Sequence, residues 1–99
     1  MKNPIEKLNK AFESKVRLGI MSTLMVNESV DFNSLKSWLN LTDGNLSSHI
    51  KGLEELGYIE VRKQFVGKKP NTTYHITDAG KIAFEEHING LEALLKSMG

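Results

Sequence analysis

Apolar residues recur along the first half of the chain at the three- and four-residue spacing of helices, and past its middle at every second position. After Pro4, which a first helical turn tolerates, Ile5, Leu8 and Phe12 predict a short amphipathic helix. Its partner face is not specified by the spacing. From Lys15 to about Asn27, the residues Val16, Leu18, Ile20, Met21, Leu24, Met25 and Val26 form an apolar arc too wide for a surface helix. That segment is expected to be the central, mostly buried helix, with Gly19 letting a neighbour come close. Val30-Asp31-Phe32 suggests a minimal strand. Asn33 then caps a helix carrying Leu35, Trp38 and Leu39, with Trp38 expected as a core anchor. Leu41 and Thr42 make a turn into the next helix, where Leu46, Ile50 and Leu53 step by four and three on one face. Thr42 is its N-cap, Asp43 sits in its positive first turn, and Gly57 is a natural left-handed terminator. Two helices joined by a three- or four-residue turn have helix-turn-helix spacing.

Past Gly57 the period falls to two. Tyr58 through Phe65 alternates apolar and polar, Gly67-Lys-Lys-Pro-Asn is turn chemistry, and Thr72 through Ile76 alternates again. This pattern predicts a hairpin. Thr77 and Asp78 offer N-caps for a last helix from about Ala79 to Ser97. There Phe84, Ile88, Leu91, Leu95 and Met98 form a heptad seam longer than a small domain needs, interrupted by Gly90, and the seam is expected to be a dimer interface. The fold class is therefore mainly α with a small antiparallel sheet from Val30–Phe32, Tyr58–Phe65 and Thr72–Ile76. Leu24, Trp38, Leu39, Leu46, Ile50 and Leu53 are expected in its core. The 99 residues suit one domain spanning 1–99.

Composition narrows the chemistry. Hydrophobic and charged fractions of 39% and 25% are those of an ordinary globular chain, so disorder is excluded as the main state. With no cysteine there is neither disulfide nor thiolate metal site, which fits a cytoplasmic protein. No apolar run approaches the roughly 20 residues needed to span a bilayer, and the first residues lack a signal-peptide core, so no membrane partner is expected. His49, His75 and His87 fall on three different elements without metal-ligand spacing, and neither a nucleophile motif nor a phosphate-binding loop is present. The chain is read as neither an enzyme nor a cofactor binder.

The net charge of +1 implies no particular partner, but its distribution does. Arg62, Lys63, Lys68 and Lys69 lie on the hairpin with no acid between Val61 and Tyr74. Lysines clustered at a hairpin tip suit phosphates or a minor groove. The helix after Thr42 presents Gly44, Ser48, Lys51 and Glu55 opposite Leu46, with Asn45 and Gly52 on the flank and His49 lining the outer flank, and an N-terminal face with so little bulk lets a helix approach base edges in a major groove.

The order of elements is that of a winged helix. Leu41 to Val61 resembles the recognition segment of MarR- and ArsR-type regulators. Val16-Arg-Leu-Gly-Ile-Met, Val30-Asp-Phe, Phe65-Val-Gly-Lys-Lys-Pro-Asn-Thr-Thr-Tyr and Thr77-Asp-Ala-Gly resemble small single-domain winged-helix transcriptional regulators. The resemblance covers about Ala11 to Phe84. It implies a winged helix-turn-helix with N- and C-terminal dimerisation helices, acting as a dimeric, sequence-specific double-stranded DNA-binding regulator, usually a repressor. It places base contacts at Asn45, Ser47, Ser48 and Lys51 on the recognition helix, where Thr42 and His49 are further candidate DNA contacts. On the wing, Lys63 through Thr72, it places backbone or minor-groove contacts, with Lys63, Lys68, Lys69, Asn71 and Thr72 as candidates, and the basic stripe adds Arg62. Dimerisation falls to Ile5, Leu8, Phe12, Phe84, Ile88, Leu91 and Leu95. The missing cysteines rule out a thiol-based metal switch, and at this length a MarR-type ligand crevice is not expected, so no effector is assigned. A winged helix serving as a protein-interaction module is the second reading. A small-molecule pocket between the Met-rich helix and the last helix is a weaker third.

Overall fold

The computed structural model describes residues 3–98, and the side chain of Met98, the last seam position, lies outside the described residues. The elements run α1 (Lys15–Val26), β1 (Val30–Asp31), α2 (Phe32–Leu39), α3 (Asp43–Glu55), β2 (Ile59–Val66), β3 (Lys69–Ile76) and α4 (Asp78–Met98). Two short 3₁₀ turns, Pro4–Lys7 and Lys10–Phe12, precede them. The strands form one antiparallel sheet in the order β1-β3-β2.

Local chemistry sets most of the boundaries. The Ser14 hydroxyl accepts from the Arg17 N–H at 3.4 Å and starts α1. Asp31, two residues before the expected Asn33, caps α2, its carboxylate accepting from both the N–H and the hydroxyl of Ser34. Phe32 is therefore helical and β1 ends at Asp31. Asn40 closes α2 in the left-handed region at φ 52°, and the turn of Asn40, Leu41 and Thr42 leads into α3. At the far end of α3, the Tyr58 N–H donates to the Leu53 carbonyl and the Gly57 N–H to that of Glu54. With Gly57 at φ 78°, this is a Schellman ending, which needs a residue free of a Cβ penalty at that position.

The core gathers Phe12, Ile20, Met21, Leu24, Leu35, Leu46, Ile50, Leu53, Ile59 and Phe84. Of the residues expected there, Leu24, Leu46, Ile50 and Leu53 are buried and Leu39 packs against them. Trp38 does not join them: it is 61% exposed. Leu35 and Leu39, four apart, hold the inward face of α2, and the Leu39 methyl fills the space over Gly19, so Trp38 falls one position off that face. Val26, at the end of α1, also points outward and narrows the expected arc.

The segment before α1 is not one helix. Leu8 is extended between the two turns, and the Asn9 side chain accepts from the Ala11 N–H while the Asn9 N–H donates to His87 Nδ1 at 2.9 Å. A backbone donor committed to a distant side chain cannot continue a helical ladder. Phe12 is fully buried, with ring centroids 5.5 Å from Tyr58, 5.4 Å from Phe84 and 5.3 Å from His87. Phe12 and Phe84 thus belong to the core of their own chain, which removes both from the surface expected to meet a partner. The overall extents, 56 × 25 × 21 Å, reflect a hairpin and a C-terminal helix that project from this core.

Candidate nucleic-acid interface

Helix α3 offers an exposed face because its apolar residues are confined to the other. Leu46, Ile50 and Leu53 are buried, while Thr42, Asp43, Gly44, Asn45, Ser47, Ser48, Lys51, Glu54 and Glu55 are exposed. The Thr42 hydroxyl accepts from the Asn45 N–H at 3.2 Å, which satisfies one of the orphan donors of the first turn. Its own O–H is left to donate outward. Lys36 pairs with Asp43 at 2.7 Å, tying the end of α2 to the start of α3.

His49 is placed differently from its neighbours. Arg17 Nε donates to His49 Nδ1 at 3.1 Å, and the guanidinium lies over Gly52, where a Cβ would come within 2.4 Å of it. Burial, then the nearby Arg17 charge, lowers the His49 pKa below the ordinary imidazole value. The ring therefore orients α3 against α1 and does not stand free on the outer face. Nothing local in the sequence marks Arg17 for this part, because its partner is 32 positions away.

The hairpin closes more tightly than its turn residues suggested. Val66 pairs with Lys69, leaving only Gly67 and Lys68 in the loop, and Gly67 has φ 66°. A glycine with positive φ at the first of two loop positions fits a type II′ turn, which matches the twist of the strands. Pro70 and Asn71 are accordingly in β3, not in the turn. Paired residues share a face and alternate along the strand. Val61 with Tyr74, Lys63 with Thr72 and Phe65 with Pro70 face one side; Arg62 with Thr73 and Gln64 with Asn71 face the other.

That alternation sorts the expected wing residues. Lys63 and Thr72 join Ser47, Ile50, Lys51, Glu54, Val61 and Tyr74 around a cleft of about 620 Å³ between α3 and the hairpin. Burial, then the Glu54 carboxylate, pushes the Tyr74 phenol above its usual pKa at the floor of this cleft. Lys68 and Lys69 are exposed at the tip, and among the described residues neither they nor Lys63 pair with an acid. Arg62 and Asn71 lie on the back of the wing. Arg62 Nε bonds Glu60 at 3.0 Å, which holds that carboxyl below the usual range, and Arg62 lines a separate pocket with Asn27, Glu28, His75 and Lys81. Arg62 and Asn71 share the charge and polarity of the other expected wing contacts, but the pleat turns them away from α3.

On α4, Ile88 and Leu91 are partly exposed and Leu95 is 76% exposed, as is Ile5 on the N-terminal turn. Leu8 packs near Gly90, where a Cβ would meet Lys7, Pro4 and Leu8. Ile82, outside the heptad seam, is also exposed. A shallow apolar hollow lined by Met25, Val26, Phe84 and Ile88 separates α1 from α4. Among the described residues no cluster of three or more metal-ligating side chains occurs, and no helix is long and apolar enough to cross a membrane.

Residues 16–95 match the family model of the winged helix DNA-binding domain. The chain is 42% identical over 89 residues to an uncharacterised protein of Methanocaldococcus jannaschii, covering 90% of this chain and 97% of that one. A transcriptional regulator homologue from Pyrococcus horikoshii superposes with a TM-score of 0.78 at 32% identity, over 94% of this chain and 97% of that one. A MarR-family transcriptional regulator from Silicibacter pomeroyi shares the fold, with a TM-score of 0.70 at 16% identity, over 97% of this chain and 64% of its own.

Proposed function

The chain belongs to the winged helix DNA-binding domain family, and from that premise we propose that it is a sequence-specific transcriptional regulator of the cytoplasm, a homodimer that binds double-stranded DNA and represses. One observation carries the reading. An exposed, small-residue face on α3 stands beside a hairpin whose cleft and tip hold Lys51, Lys63, Lys68 and Lys69.

Asn45, Ser47 and Ser48 meet base edges in the major groove, where a good pair contributes about 1–3 kcal/mol of discrimination. A phosphate strand lies along the cleft between α3 and the wing. Lys51 and Lys63 neutralise it from the two sides, and the Thr72 hydroxyl donates to it. Lys68 and Lys69 hold the adjacent groove. Arg62 and Asn71, on the back of the wing, take no part. The dimer forms along α4 through Ile88, Leu91 and Leu95 with Ile5 and Leu8 of the N-terminal turn. This apolar strip extends beyond the core of one chain, and its two-fold symmetry suits an inverted-repeat operator.

The test is a salt series of binding to labelled duplexes, comparing random sequence with the promoter of the protein's own transcription unit. Promoter binding should be tighter, and log affinity should fall linearly with log salt. The K68A/K69A double variant should weaken binding to every duplex and flatten the slope by roughly 0.9 for each phosphate no longer neutralised. Failure to bind either duplex at low salt would refute the DNA reading and leave a protein-interaction module. A K68A/K69A variant that altered base preference with the slope unchanged would refute the division of labour.

A further inference from the structure

The tip of the wing carries two apolar side chains that the fold does not use. Phe65 is 75% exposed and Val66 63% exposed. Neither joins the core cluster or packs against it. Strand β1 pairs with β3 only at Val30–Tyr74 and Asp31–Thr73, so beyond Thr73 the hairpin is two-stranded and stands clear of the body. A bare phenyl ring there has water on most sides, an unfavourable place for its apolar area. Pairing puts Phe65 opposite Pro70, on the face that carries Val61 and Lys63 and borders the cleft beside α3. Lys68 and Lys69 follow at the turn, and no acid occurs from Val61 to Thr77.

We propose that Phe65 is an apolar wedge that enters the minor groove of bound DNA and seats against a base step, Lys68 and Lys69 holding the phosphates on either rim. The inference rests on the DNA-binding reading above. Charge selects this occupant over an apolar protein surface. A tip with two lysines and no acid fits between two rows of phosphates, whereas an apolar partner would leave those ammonium groups desolvated. The groove floor supplies what the ring lacks, since apolar wedges lodge between base steps and kink the duplex. The wing then contributes a bend as well as charge, and sequences with easily unstacked pyrimidine–purine steps under the tip are favoured without a hydrogen bond to any base.

The alternative role for Phe65 is to stabilise the hairpin through strand propensity and its Pro70 neighbour. F65T separates the two, because threonine keeps the strand preference and removes the ring. Three readouts decide: the urea midpoint, the salt series on the promoter duplex, and energy transfer between dyes at the two ends of that duplex. F65T should leave the urea midpoint in place and weaken binding roughly five- to hundredfold, the range for removing one base stack. The salt slope should stay unchanged, because every phosphate keeps its lysine, and the end-to-end transfer should move back toward free DNA. Equal affinity for F65T and the parent, or an unchanged bend, would overturn the wedge while leaving the regulator reading in place. Absence of binding by the parent itself would remove both.

Discussion

Replacing Phe12 with alanine should cost the domain about 3–5 kcal/mol, the usual range for truncating a fully buried phenylalanine. The ring has no exposed surface, and it is the common neighbour of Tyr58, Phe84 and His87, each with a centroid within 5.5 Å. Its loss combines the transfer of the ring to water with a cavity that three aromatic walls cannot all collapse into, and edge-to-face pairs of this kind add about 0.5–1.5 kcal/mol each. Against a total stability of about 5–15 kcal/mol for such a domain, F12A would be marginal or unfolded. The assay is urea denaturation of parent and F12A at two chain concentrations a hundredfold apart. If Phe12 belongs to the intramolecular core, the gap in stability is the same at both concentrations. A loss below about 1 kcal/mol, outside the range for core truncation, would refute the argument. So would a gap that closes on dilution, which would return Phe12 to the dimer surface that the family resemblance implies.

Two glycines should respond with opposite signs to alanine. At Gly80 the new Cβ would lie 2.1 Å from the Tyr58 carbonyl oxygen, which is itself held by the Thr77 N–H, so G80A should destabilise by roughly 1–3 kcal/mol or more. At Gly44 nothing lies within 4 Å, so G44A should stabilise by about 0.4–1 kcal/mol; equal effects in urea melts would disprove the close-approach account. The domain should also lose stability as pH falls below about 6.5, the ordinary imidazole value. Burial lowers the pKa of His49 and His87 in the fold, and each uses Nδ1 as an acceptor, from Arg17 and from the Asn9 N–H. The unfolded chain therefore binds protons first, and stability present above that pH declines through the window down to the folded values. A urea midpoint unchanged between pH 7.5 and pH 5 would contradict this. Finally, L91E/L95E should convert the proposed dimer to monomer in sedimentation equilibrium and weaken binding to a two-half-site duplex more than to one half-site; a dimer persisting in the variant would move the interface elsewhere.

The features legible in the sequence are those whose cause lies within a few residues. Thr42 and Thr77 cap the helices expected of them, Gly57 ends α3 in the left-handed conformation, and Leu46, Ile50 and Leu53 are buried on one face. The two strands follow from alternation, although the turn took two residues where five had turn chemistry. The pair Phe65-Val66 is visible as a break in that alternation at the point where the strand leaves the body, yet exposure gave it its meaning.

Everything that depended on distant partners needed the tertiary structure. The three-four spacing makes Ile5, Leu8 and Phe12 look like one helical face, but Asn9 gives its backbone N–H to a histidine 78 positions away and the helix does not form. Periodicity shows that a residue is apolar on one side, not which chain will cover it; Phe84 is covered by Phe12, and Leu95 is left open. Trp38 lost its inward place to Leu39 because Gly19 leaves room for a leucine at that crossing. Arg62 carries the same charge as Lys63, and only strand register against β3 put the two on opposite faces. Caps and helical hydrogen bonds act over a turn of chain, so the sequence determined most of the elements. Burial, facing and the long-range hydrogen bonds are settled between distant segments, and there the packed structure decided.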